Sequence, residues 1–523
     1  MDLKLMLEET VNRYAGKTAI VLGERRISYA ELDEASNKVA NALKEMGVRK
    51  GDRVAMLSPN RPEFITVYFG VIKAGGIAVP LDVAYKVEEL ASLFGSCQPK
   101  ILVAESTLLE PIVSIISRFD SIEHVIDLDS GYESQFHSYR EIMDVSSSRH
   151  VEVVLNPEDI GTVSYTGGPT SNPRGAALSH RSLVSETMMS ADGFQQTDRD
   201  ISVLFALPMY HMFGLASVLL TSVYKGSTMV IVPGTGRSIN SFLETIAKER
   251  GTIYLGVPYI YALAINLAGW EGIKHDLSSI RLWGSGGATL TTEIMQQFRH
   301  YYSADILDVW GLTEAVSHVT CQPLDGLRKP GSSGKALPGW EIKVVDDSGD
   351  ERPPNQPGEV IVRGPIMRGY YNNLEATAEV IRGGWLYTGD LGRIDEDGYL
   401  FLSGMKKDMI ILKGQNIYPS DVEEVLGTYY KVASAYVVGI PDQLRGEIVG
   451  AVIKLKRRFT ATEQEIRSFC QTRLADYKLP KKIIFTETLL KGAAKKIGKR
   501  RLEDYLHNLS SLLPSSHQEG GKA

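Results

Sequence analysis

The segment VSYTGGPTSNPRG, at positions 163–175, is the first part of the sequence whose residue types suggest chemistry. Small side chains leave backbone N–H groups open, and with hydroxyls and the cation of Arg174 such a loop can wrap a polyphosphate. The G-x-x-x-x-G-K-[ST] spacing of a Walker A loop is absent. Glycine and proline clusters are usually plain turns, so the significance of this loop depends on what lies downstream.

Four later segments also combine apolar runs with polar or glycine residues. His211 lies in ALPMYHMFGL, where a core histidine is the plainer interpretation. IRLWGSGGA, at 280–288, predicts a strand that runs into a glycine turn, where a flat base can meet bare backbone. WGLTE, at 310–314, offers an aromatic ring, a hydroxyl and a carboxylate suited to Mg²⁺, although a helix N-terminus explains Thr and Glu equally well. Asp390, in GWLYTGD, can accept hydrogen bonds from both ribose hydroxyls or simply form a turn.

The apolar pattern predicts an α/β protein. Residues 27–46 have apolar groups at helical spacing, with Gly47 as the stop, and 52–57 reads as a short strand. A helix at 63–73 and a strand at 77–81 follow. Strands that alternate with helices indicate parallel sheets joined by crossovers.

Length and charge predict more than one domain. A chain of 523 residues exceeds one ordinary core. We expect a large domain at 1–403, a linker at 404–407, a small domain at 408–509 and a disordered tail at 510–523. From residue 405 onward the chain carries 21 Lys and Arg against 13 Asp and Glu. Such a basic region suits nucleic acid, a membrane surface or a phosphorylated small molecule, and a solvated surface explains it equally well.

The cysteine content and the termini predict a soluble protein of a reducing compartment, which we take as the cytoplasm. The three cysteines are widely spaced, without the pattern of a disulfide framework or zinc site. The N-terminus carries early acids and is not a signal peptide. Residues 201–224 lack Lys, Arg, Asp and Glu, but the stretch contains Pro208 and Gly214 and is interpreted as buried strand, loop and helix.

In this order, these segments resemble the acyl-adenylate-forming (ANL) superfamily of acyl-CoA synthetases, firefly-luciferase-like enzymes and non-ribosomal adenylation domains. The loop resembles YTSGTTGxPKG, WGLTE matches YGxTE, and GWLYTGDLG with GYL matches the ribose-binding motif. GMKKD resembles the hinge motif GRxKD, KGQNIYPSDVEE is close to the family pattern, and KKIGKRRL resembles GKIxRRxL. The resemblance spans about 27–506, and six motifs in register leave little room for accident.

The resemblance implies a large N-terminal adenylation domain of stacked mixed and parallel sheets with helices and a β-barrel-like part, followed by a small mobile α+β lid domain. It also implies two half-reactions. A carboxylate attacks the α-phosphorus of Mg·ATP to give acyl-AMP and pyrophosphate, and coenzyme A then displaces AMP. The implied partners are a small carboxylate, ATP, Mg²⁺ and coenzyme A, without nucleic acid, and a homodimer is left open.

The resemblance also implies roles for individual residues. Lys496 bridges the substrate carboxylate and α-phosphate, His211 lies by the acyl carboxylate, Glu314 binds Mg²⁺, and Lys407 is the hinge. The implied nucleotide and coenzyme A contacts are Thr166, Gly167, Gly168, Thr170, Ser171, Arg174, Gly286, Gly287, Ala288, Asp308, Trp310, Gly311, Thr313, Asp390 and Gly414, with Thr170 also catalytic. The expected acyl pocket consists of Tyr210, Phe213, Gly214, Tyr254 and Gly284.

The sequence departs from the family pattern at several positions and leaves alternatives open. Gly167 and Pro169 each remove a hydroxyl from the phosphate loop, and Met405 replaces the arginine of the hinge motif. The gate region PMYHMFGL has no carboxylate for a substrate amine, so we expect a medium-chain fatty, aromatic or alicyclic acid rather than an amino acid. The alternatives are an acyl-AMP ligase that loads a carrier-protein thiol, a degenerate nucleotide-binding relative, and a nucleic-acid binder.

Overall fold

The structure is a computed structural model that describes residues 1–129, 136–166, 173–233, 239–288, 290–405, 410–417, 419–442 and 444–486. The chain divides into two compact units, Met1–Lys407 and Asp408–Ala523. The division falls at the end of the predicted linker, whose first two residues form the end of a strand. The predicted tail at 510–523 lies outside the described residues.

Strands and helices alternate through the first part of the large unit. The elements are α1 (Leu3–Tyr14), β1 (Thr18–Leu22), β2 (Arg25–Ser28), α2 (Tyr29–Glu45), β3 (Arg53–Leu57), α3 (Pro62–Lys73), β4 (Ile77–Pro80), α4 (Val87–Cys97), β5 (Ile101–Ala104), α5 (Ser106–Leu109), α6 (Val113–Ile116), β6 (His124–Asp127), β7 (His137–Ser138) and α7 (Tyr139–Val145). The predicted helix at 27–46 therefore begins later, at Tyr29. The reason is a capping box, in which Ser28 and Glu31 bond reciprocally and fix the first turn.

The same alternation continues to residue 311, after which antiparallel strands dominate. The elements are β8 (Ile160–Thr166), β9 (Arg174–Ser179), α8 (His180–Gly193), β10 (Ile201–Leu204), α9 (Met212–Gly214), α10 (Thr221–Lys225), β11 (Thr228–Ile231), α11 (Ile239–Glu249), β12 (Ile253–Gly256), α12 (Pro258–Glu271), β13 (Leu282–Ser285), α13 (Thr292–Tyr302), β14 (Ile306–Gly311), β15 (His318–Cys321), β16 (Lys335–Ala336), β17 (Glu341–Val345), β18 (Gly358–Arg363), β19 (Gly369–Tyr370), α14 (Leu374–Val380), β20 (Ile381–Arg382), β21 (Trp385–Ile394) and β22 (Leu400–Met405). A π-helical turn, Leu215–Leu220, joins α9 to α10.

Three sheets organise the large unit. One has nine strands in the order β16-β15-β14-β13-β12-β10-β11-β1-β2, and a second has eight in the order β19-β9-β8-β4-β3-β5-β6-β7. Their central strands pair in parallel, and the outer pairs are antiparallel except at β7, which pairs in parallel with β6. The third sheet is antiparallel, in the order β17-β18-β21-β20 with β22 beside β21. The predicted mixed and parallel sheets are confirmed, and the third sheet is the predicted barrel-like part.

The small unit contains its own antiparallel sheet and core. Its elements are β23 (Ile410–Leu412), β24 (Gln415–Ile417), α15 (Pro419–Thr428), β25 (Val432–Asp442), β26 (Gly446–Leu455), α16 (Glu463–Gln471) and β27 (Lys482–Phe485). The sheet order is β24-β23-β26-β25, with β27 parallel to β26. Helices α15 and α16 contribute side chains to the core on this sheet, and Val422 of α15 and Ile466 of α16 are fully buried there. The small unit is therefore of the α+β type, as predicted.

The uncharged stretch 201–224 is strand β10 followed by a loop and consecutive helical turns, as predicted. Met209, Leu215 and Leu220 are fully buried in the main core of the large unit. Among the described residues, no helix combines the length and hydropathy needed to cross a membrane.

Helices α2 and α3 pack through a close approach and a buried ion pair. A Cβ at Gly70 would lie 2.4 Å from Val39 Cγ1, so only glycine allows this helix spacing. One turn later, Lys73 is fully buried and its Nζ bonds Asp33 Oδ1 at 2.5 Å and Asn37 Oδ1 at 2.7 Å. Burial lowers the pKa of Lys73, and Asp33 opposes that shift.

We expect Asp33→Ala to destabilise the protein by about 3 kcal/mol, because it leaves a buried ammonium group without its carboxylate. Glu34→Ala, on the same helix, removes an exposed pair with Lys38 and should cost below about 0.5 kcal/mol. Urea unfolding followed by tryptophan fluorescence would measure both. Equal losses in the two variants would contradict the role of the buried pair.

Candidate active site

The hairpin formed by β8 and β9 holds both ends of the predicted phosphate loop. Thr166 and Arg174 are register partners, and Thr166 Oγ1 donates to the Arg174 carbonyl at 3.2 Å. The ends of the loop are therefore fixed by the sheet. Gly167, Gly168, Thr170 and Ser171 lie outside the described residues.

Tyr370 connects Arg174 to Glu314. Strand β19 pairs antiparallel with β9, which brings the Arg174 guanidinium over the Tyr370 ring, 5.4 Å from its centroid. The Tyr370 hydroxyl donates to Glu314 Oε1 at 2.7 Å. Arg174 also contacts the exposed Glu379 at 3.2 Å. The cation predicted to bind phosphate and the carboxylate predicted to bind the metal therefore both contact one tyrosine.

The carboxyl end of β14 meets β21 at a second polar contact. Trp310 Nε1 donates to Asp390 Oδ2 at 3.1 Å, and the Asp390 backbone N–H donates to Thr388 Oγ1 at 3.1 Å. One oxygen of Asp390 therefore has a protein donor, while the carboxyl group keeps acceptor capacity for a ligand.

Burial raises the pKa of three carboxyl groups around this end of β14. Desolvation raises the pKa of Asp390 to about 7, and Glu314 and Glu359 add to the shift while Trp310 opposes it. Burial also raises the pKa of Glu314, while the hydrogen bond from Tyr370 and the charge of Arg174 lower it. The pKa of Asp308 lies well above its usual value for the same reason, with Ser333 as its donor at 3.3 Å. A ligand that brings hydroxyl groups or a cation to these carboxyl groups would stabilise their ionised forms.

His211 caps the short helix α9 at the start of the gate region. Its Nδ1 accepts from the Phe213 backbone N–H at 3.2 Å. Burial by the surrounding protein lowers the pKa of His211, although part of the residue is exposed to solvent. Beside it, burial and the Asp82 carboxylate raise the pKa of Tyr210. A neutral imidazole thus faces the open side of the gate.

Glycines bring backbone segments together around Phe213. A Cβ at Gly286 would lie 2.8 Å from Val309 Cγ2 and 3.3 Å from Phe213 Cε1, and one at Gly214 would lie 2.2 Å from the Pro208 carbonyl oxygen. A Cβ at Gly284 would lie 2.5 Å from Leu255 Cδ2. These positions leave no room for side chains, and at Gly286 this allows the segment around Phe213 to pack closely on the ends of strands β13 and β14.

The comparisons with known proteins agree with this architecture. The sequence model described as AMP-binding enzyme matches residues 7–371, and the model for the AMP-binding enzyme C-terminal domain matches 421–496. The chain belongs to the AMP-binding enzyme family. Its position within the acyl-adenylate-forming superfamily, predicted from the motifs, is confirmed.

Three similar proteins illustrate the family. A long-chain-fatty-acid–CoA ligase of Bacillus subtilis is 32% identical, with 96% of this chain and 94% of the relative covered. An indoleacetate–CoA ligase of Aromatoleum aromaticum is 32% identical, with 95% and 97% covered. The crystal structure of the anthranilate CoA ligase AuaEII with anthranoyl-AMP has a TM-score of 0.76 at 28% identity, with 98% of both chains covered.

Two of the residues predicted for the site of this AMP-binding enzyme, Tyr254 and Gly414, have a packing or turn role in the structure. Tyr254 is fully buried, with its ring among Phe242, Tyr261 and Trp283 in a separate aromatic core. Gly414 has φ +81° and, with Lys413, forms the two-residue turn between β23 and β24. That turn explains the glycine structurally. Lys407 and Lys496 lie outside the described residues.

The remaining predicted positions are backbone features near the end of β14 and β13. A Cβ at Gly311 would lie 1.6 Å from the Ser317 carbonyl oxygen, so glycine is required where the chain reverses into β15. Thr313 begins a 3₁₀ turn that contains Glu314. Gly287 has φ +73° and precedes the half-buried Ala288. These residues shape the loops on either side of Trp310.

Glu314 can bind a divalent metal only if a bound ligand supplies further ligating atoms. Among the described residues, no three His, Cys, Asp or Glu side chains cluster in a way that could hold a metal ion. Mg²⁺ commonly binds through one or two carboxylates, substrate phosphates and water. Glu314, beside the phosphate loop and held by Tyr370, suits that arrangement.

Sequence reasoning missed Tyr370, Thr388 and Asp82. Tyr370 is almost 200 residues from Arg174, and only the pairing of β19 with β9 brings them together. Thr388 was visible in GWLYTGD, but its contact with the Asp390 backbone depends on the local turn. Asp82 follows strand β4, and the position after a parallel strand was the available signal.

We expect the fluorescence of Trp310 to change with a midpoint near pH 7 as Asp390 loses its proton, because the indole N–H donates to that carboxyl group. Asp390→Asn should remove the transition. Glu359→Gln should move the midpoint to lower pH, since it removes a charge that raises the pKa of Asp390. A midpoint near pH 4 in the unaltered protein would show that Asp390 is not desolvated.

Proposed function

We propose that this AMP-binding enzyme is an acyl-CoA synthetase that activates a small carboxylic acid with ATP and transfers the acyl group to coenzyme A. The carboxylate displaces pyrophosphate from the α-phosphorus to form acyl-AMP, and the coenzyme A thiolate then displaces AMP from the acyl carbon. The observation that carries the proposal is the connected set Arg174, Tyr370 and Glu314 beside Trp310 and Asp390. It provides a cation, a carboxylate, an aromatic ring and a ribose acceptor at one strand end.

The nucleotide would lie along the ends of β13 and β14. Trp310 and the backbone of Gly286, Gly287 and Ala288 would frame the adenine ring, and the backbone of Gly287 is exposed. Asp390 would accept the ribose hydroxyls once it is ionised, with Trp310 keeping its carboxyl group oriented. Arg174 and the loop from Thr166 would hold the β- and γ-phosphates. Charge-assisted bonds of this kind are strong in a desolvated site.

Glu314 would hold Mg²⁺, which when bound neutralises charge on the triphosphate. The Tyr370 hydroxyl fixes the orientation of Glu314, and the nearby guanidinium of Arg174 favours the ionised form. His211 would lie beside the acyl carboxylate as a neutral hydrogen-bonding group, because burial lowers its pKa. By resemblance, Lys496 would neutralise the carboxylate and α-phosphate during adenylation, Lys407 would be the hinge, and Gly414 would line the pantetheine path.

Pyrophosphate release from Mg·ATP, measured over a panel of carboxylic acids with and without coenzyme A, tests the proposed function. Release and AMP formation should require both an acid and coenzyme A for sustained turnover. Sustained turnover without coenzyme A would favour transfer to another acceptor. ATP binding without pyrophosphate release from any acid would contradict the proposal.

We expect Glu314→Gln to lower the rate of acyl-adenylate formation by about 10²–10³, because the neutral amide cannot stabilise the metal-bound triphosphate equally well. The Mg²⁺ concentration for half-maximal rate should rise. Glu341→Gln, which removes a surface pair with Arg363, should change neither quantity. An unaltered Mg²⁺ requirement in Glu314→Gln would place the metal elsewhere.

We expect Lys496→Ala to slow acyl-adenylate formation by about 10²–10³ while sparing the reaction of preformed acyl-AMP with coenzyme A. The reason is that the lysine neutralises charge only during attack on the α-phosphorus. Lys495→Ala is the matched control and should lose less than about tenfold in adenylation. Equal losses in both half-reactions would contradict the assignment of Lys496.

A further inference from the structure

Two histidine rings meet at one edge of the eight-stranded sheet, several strands away from the hairpin of β8 and β9. His124 Nδ1 lies 3.1 Å from His137 Nε2. The ring centroids are 5.1 Å apart, with an angle of 60° between the ring planes. His137 is exposed and His124 is half-buried, so both rings can be reached from solvent. The proposed reaction uses neither residue, and we call them the histidine pair.

We propose that the histidine pair is a binding site for a divalent transition metal such as Zn²⁺ or Cu²⁺, and that the bound metal fastens the edge strand β7 to β6. The site is independent of the proposed function, because it takes part in neither half-reaction. Its ligands are His124 Nδ1 and His137 Nε2, with water at the remaining positions of the metal.

The pairing of β6 with β7 places both rings on the same face of the sheet. The two strands run parallel, and His137 is the register partner of Ile126. Register partners project to the same side of a sheet, and so do residues two apart on one strand. His124, two residues before Ile126, therefore projects to the same side as His137. The sheet backbone thus brings the two ligands together before any metal arrives.

The distance between the two nitrogens suits a shared metal ion. Imidazole nitrogens bind such metals at about 2.0–2.1 Å, which places two of them roughly 2.9–3.4 Å apart for angles from about 90° to about 109° at the metal. The 3.1 Å between His124 Nδ1 and His137 Nε2 falls within this interval. Binding requires neutral rings that carry their protons on the other nitrogens, His124 Nε2 and His137 Nδ1.

The ligand type selects the class of metal. Imidazole suits Zn²⁺, Cu²⁺ and Ni²⁺, whereas Mg²⁺ and Ca²⁺ prefer oxygen ligands. Among the residues that the structure describes, no third His, Cys, Asp or Glu completes the group, so we expect a two-histidine site rather than a closed structural one. Glu141 is exposed and near enough for its negative charge to act on the His137 ring. That charge favours a cation at the histidine pair.

Strand β7 is a part of the sheet that a bound metal can stabilise. It has two residues, it is the last strand in the sheet order, and it forms two register pairs with β6. Ser138 in this strand is also the N-cap of α7, where its hydroxyl accepts from the Glu141 backbone N–H at 3.3 Å. A metal that joins the histidine pair would therefore also fix the start of α7.

Helix α7 carries this effect into the large unit. Ile142 of α7 is buried in the main core. The Met143 carbonyl accepts from Lys38 Nζ of α2 at 2.9 Å. Fastening β7 therefore restrains a helix that packs against another part of the same unit.

Zinc binding to the full-length protein without an affinity tag tests the site. The protein would be dialysed against a chelator and titrated with ZnCl₂ by isothermal titration calorimetry, with MgCl₂ as the comparison. We expect one Zn²⁺ per chain at the histidine pair and no comparable binding of Mg²⁺. His124→Gln and His137→Gln should each weaken zinc binding by about 10²-fold, because the second ligand is no longer held next to the first.

Two other surface histidines provide matched controls. His275 Nε2 contacts Asn240 Oδ1 at 3.1 Å, and His150 Nδ1 lies 3.3 Å from Glu8 Oε1. Neither is paired with a second histidine in these contacts. His275→Gln and His150→Gln should therefore leave the zinc affinity unchanged, and circular dichroism would verify that all four variants are folded.

Two further measurements identify the ligands and the effect on β7. With one equivalent of Cu²⁺, electron paramagnetic resonance should show coupling to two nitrogens, and this signal should be lost in His124→Gln and His137→Gln. At free Zn²⁺ of about ten times Kd, hydrogen exchange of amides in β7 and α7 should slow by about tenfold, because opening must first release the metal. Neither Gln variant should show this protection.

Three results would overturn the inference. The first is zinc affinity that is no greater in the unaltered protein than in His124→Gln and His137→Gln, which would mean that the two rings only share a hydrogen bond. The second is equal loss of binding in the His275→Gln or His150→Gln control. The third is metal bound at the histidine pair without slower exchange in β7 and α7, which would contradict the fastening of the edge strand.

Discussion

Several carboxyl groups at the carboxyl end of β14 are buried away from water, and the rest of the candidate site in the large unit depends on this desolvation. Asp308, Glu314 and Asp390 each have a pKa raised by burial, and neutral donors are their main hydrogen-bond partners. A fold that only needed stability would pair such groups with cations or replace them. These carboxyl groups make sense as acceptors for hydroxyls and a cation that arrive with the nucleotide.

The same logic explains why Tyr370 holds two site residues at once. A tyrosine can offer its ring face to Arg174 and its hydroxyl to Glu314, whereas a direct Arg–Glu bridge would satisfy both and compete with phosphate and metal. The ring keeps the cation and the carboxylate near each other without a direct bridge between them, while Arg174 pairs with the exposed Glu379.

The sequence predicted the α/β class, the parallel sheets and the strands within 52–57, 77–81 and 280–288, because apolar runs and glycine turns are local signals. Asp390, Trp310 and Glu314 were predicted from motifs, and the structure pairs Trp310 with Asp390 and Glu314 with Tyr370. The Tyr370 bridge itself depends on pairing between β9 and β19, which no local pattern encodes. Tyr254 was predicted for the pocket from its type and neighbourhood, yet strand alternation turns its ring into the aromatic core.

Strand register gives Asp390 one more neighbour of consequence. On the β21–β22 ladder, its backbone partner is Met405, two residues before the end of the first compact unit. The position proposed to hold the sugar and the position from which the chain departs are thus opposite residues of a single ladder. The backbone that positions the proposed ribose acceptor is therefore paired directly with the last strand of the first compact unit.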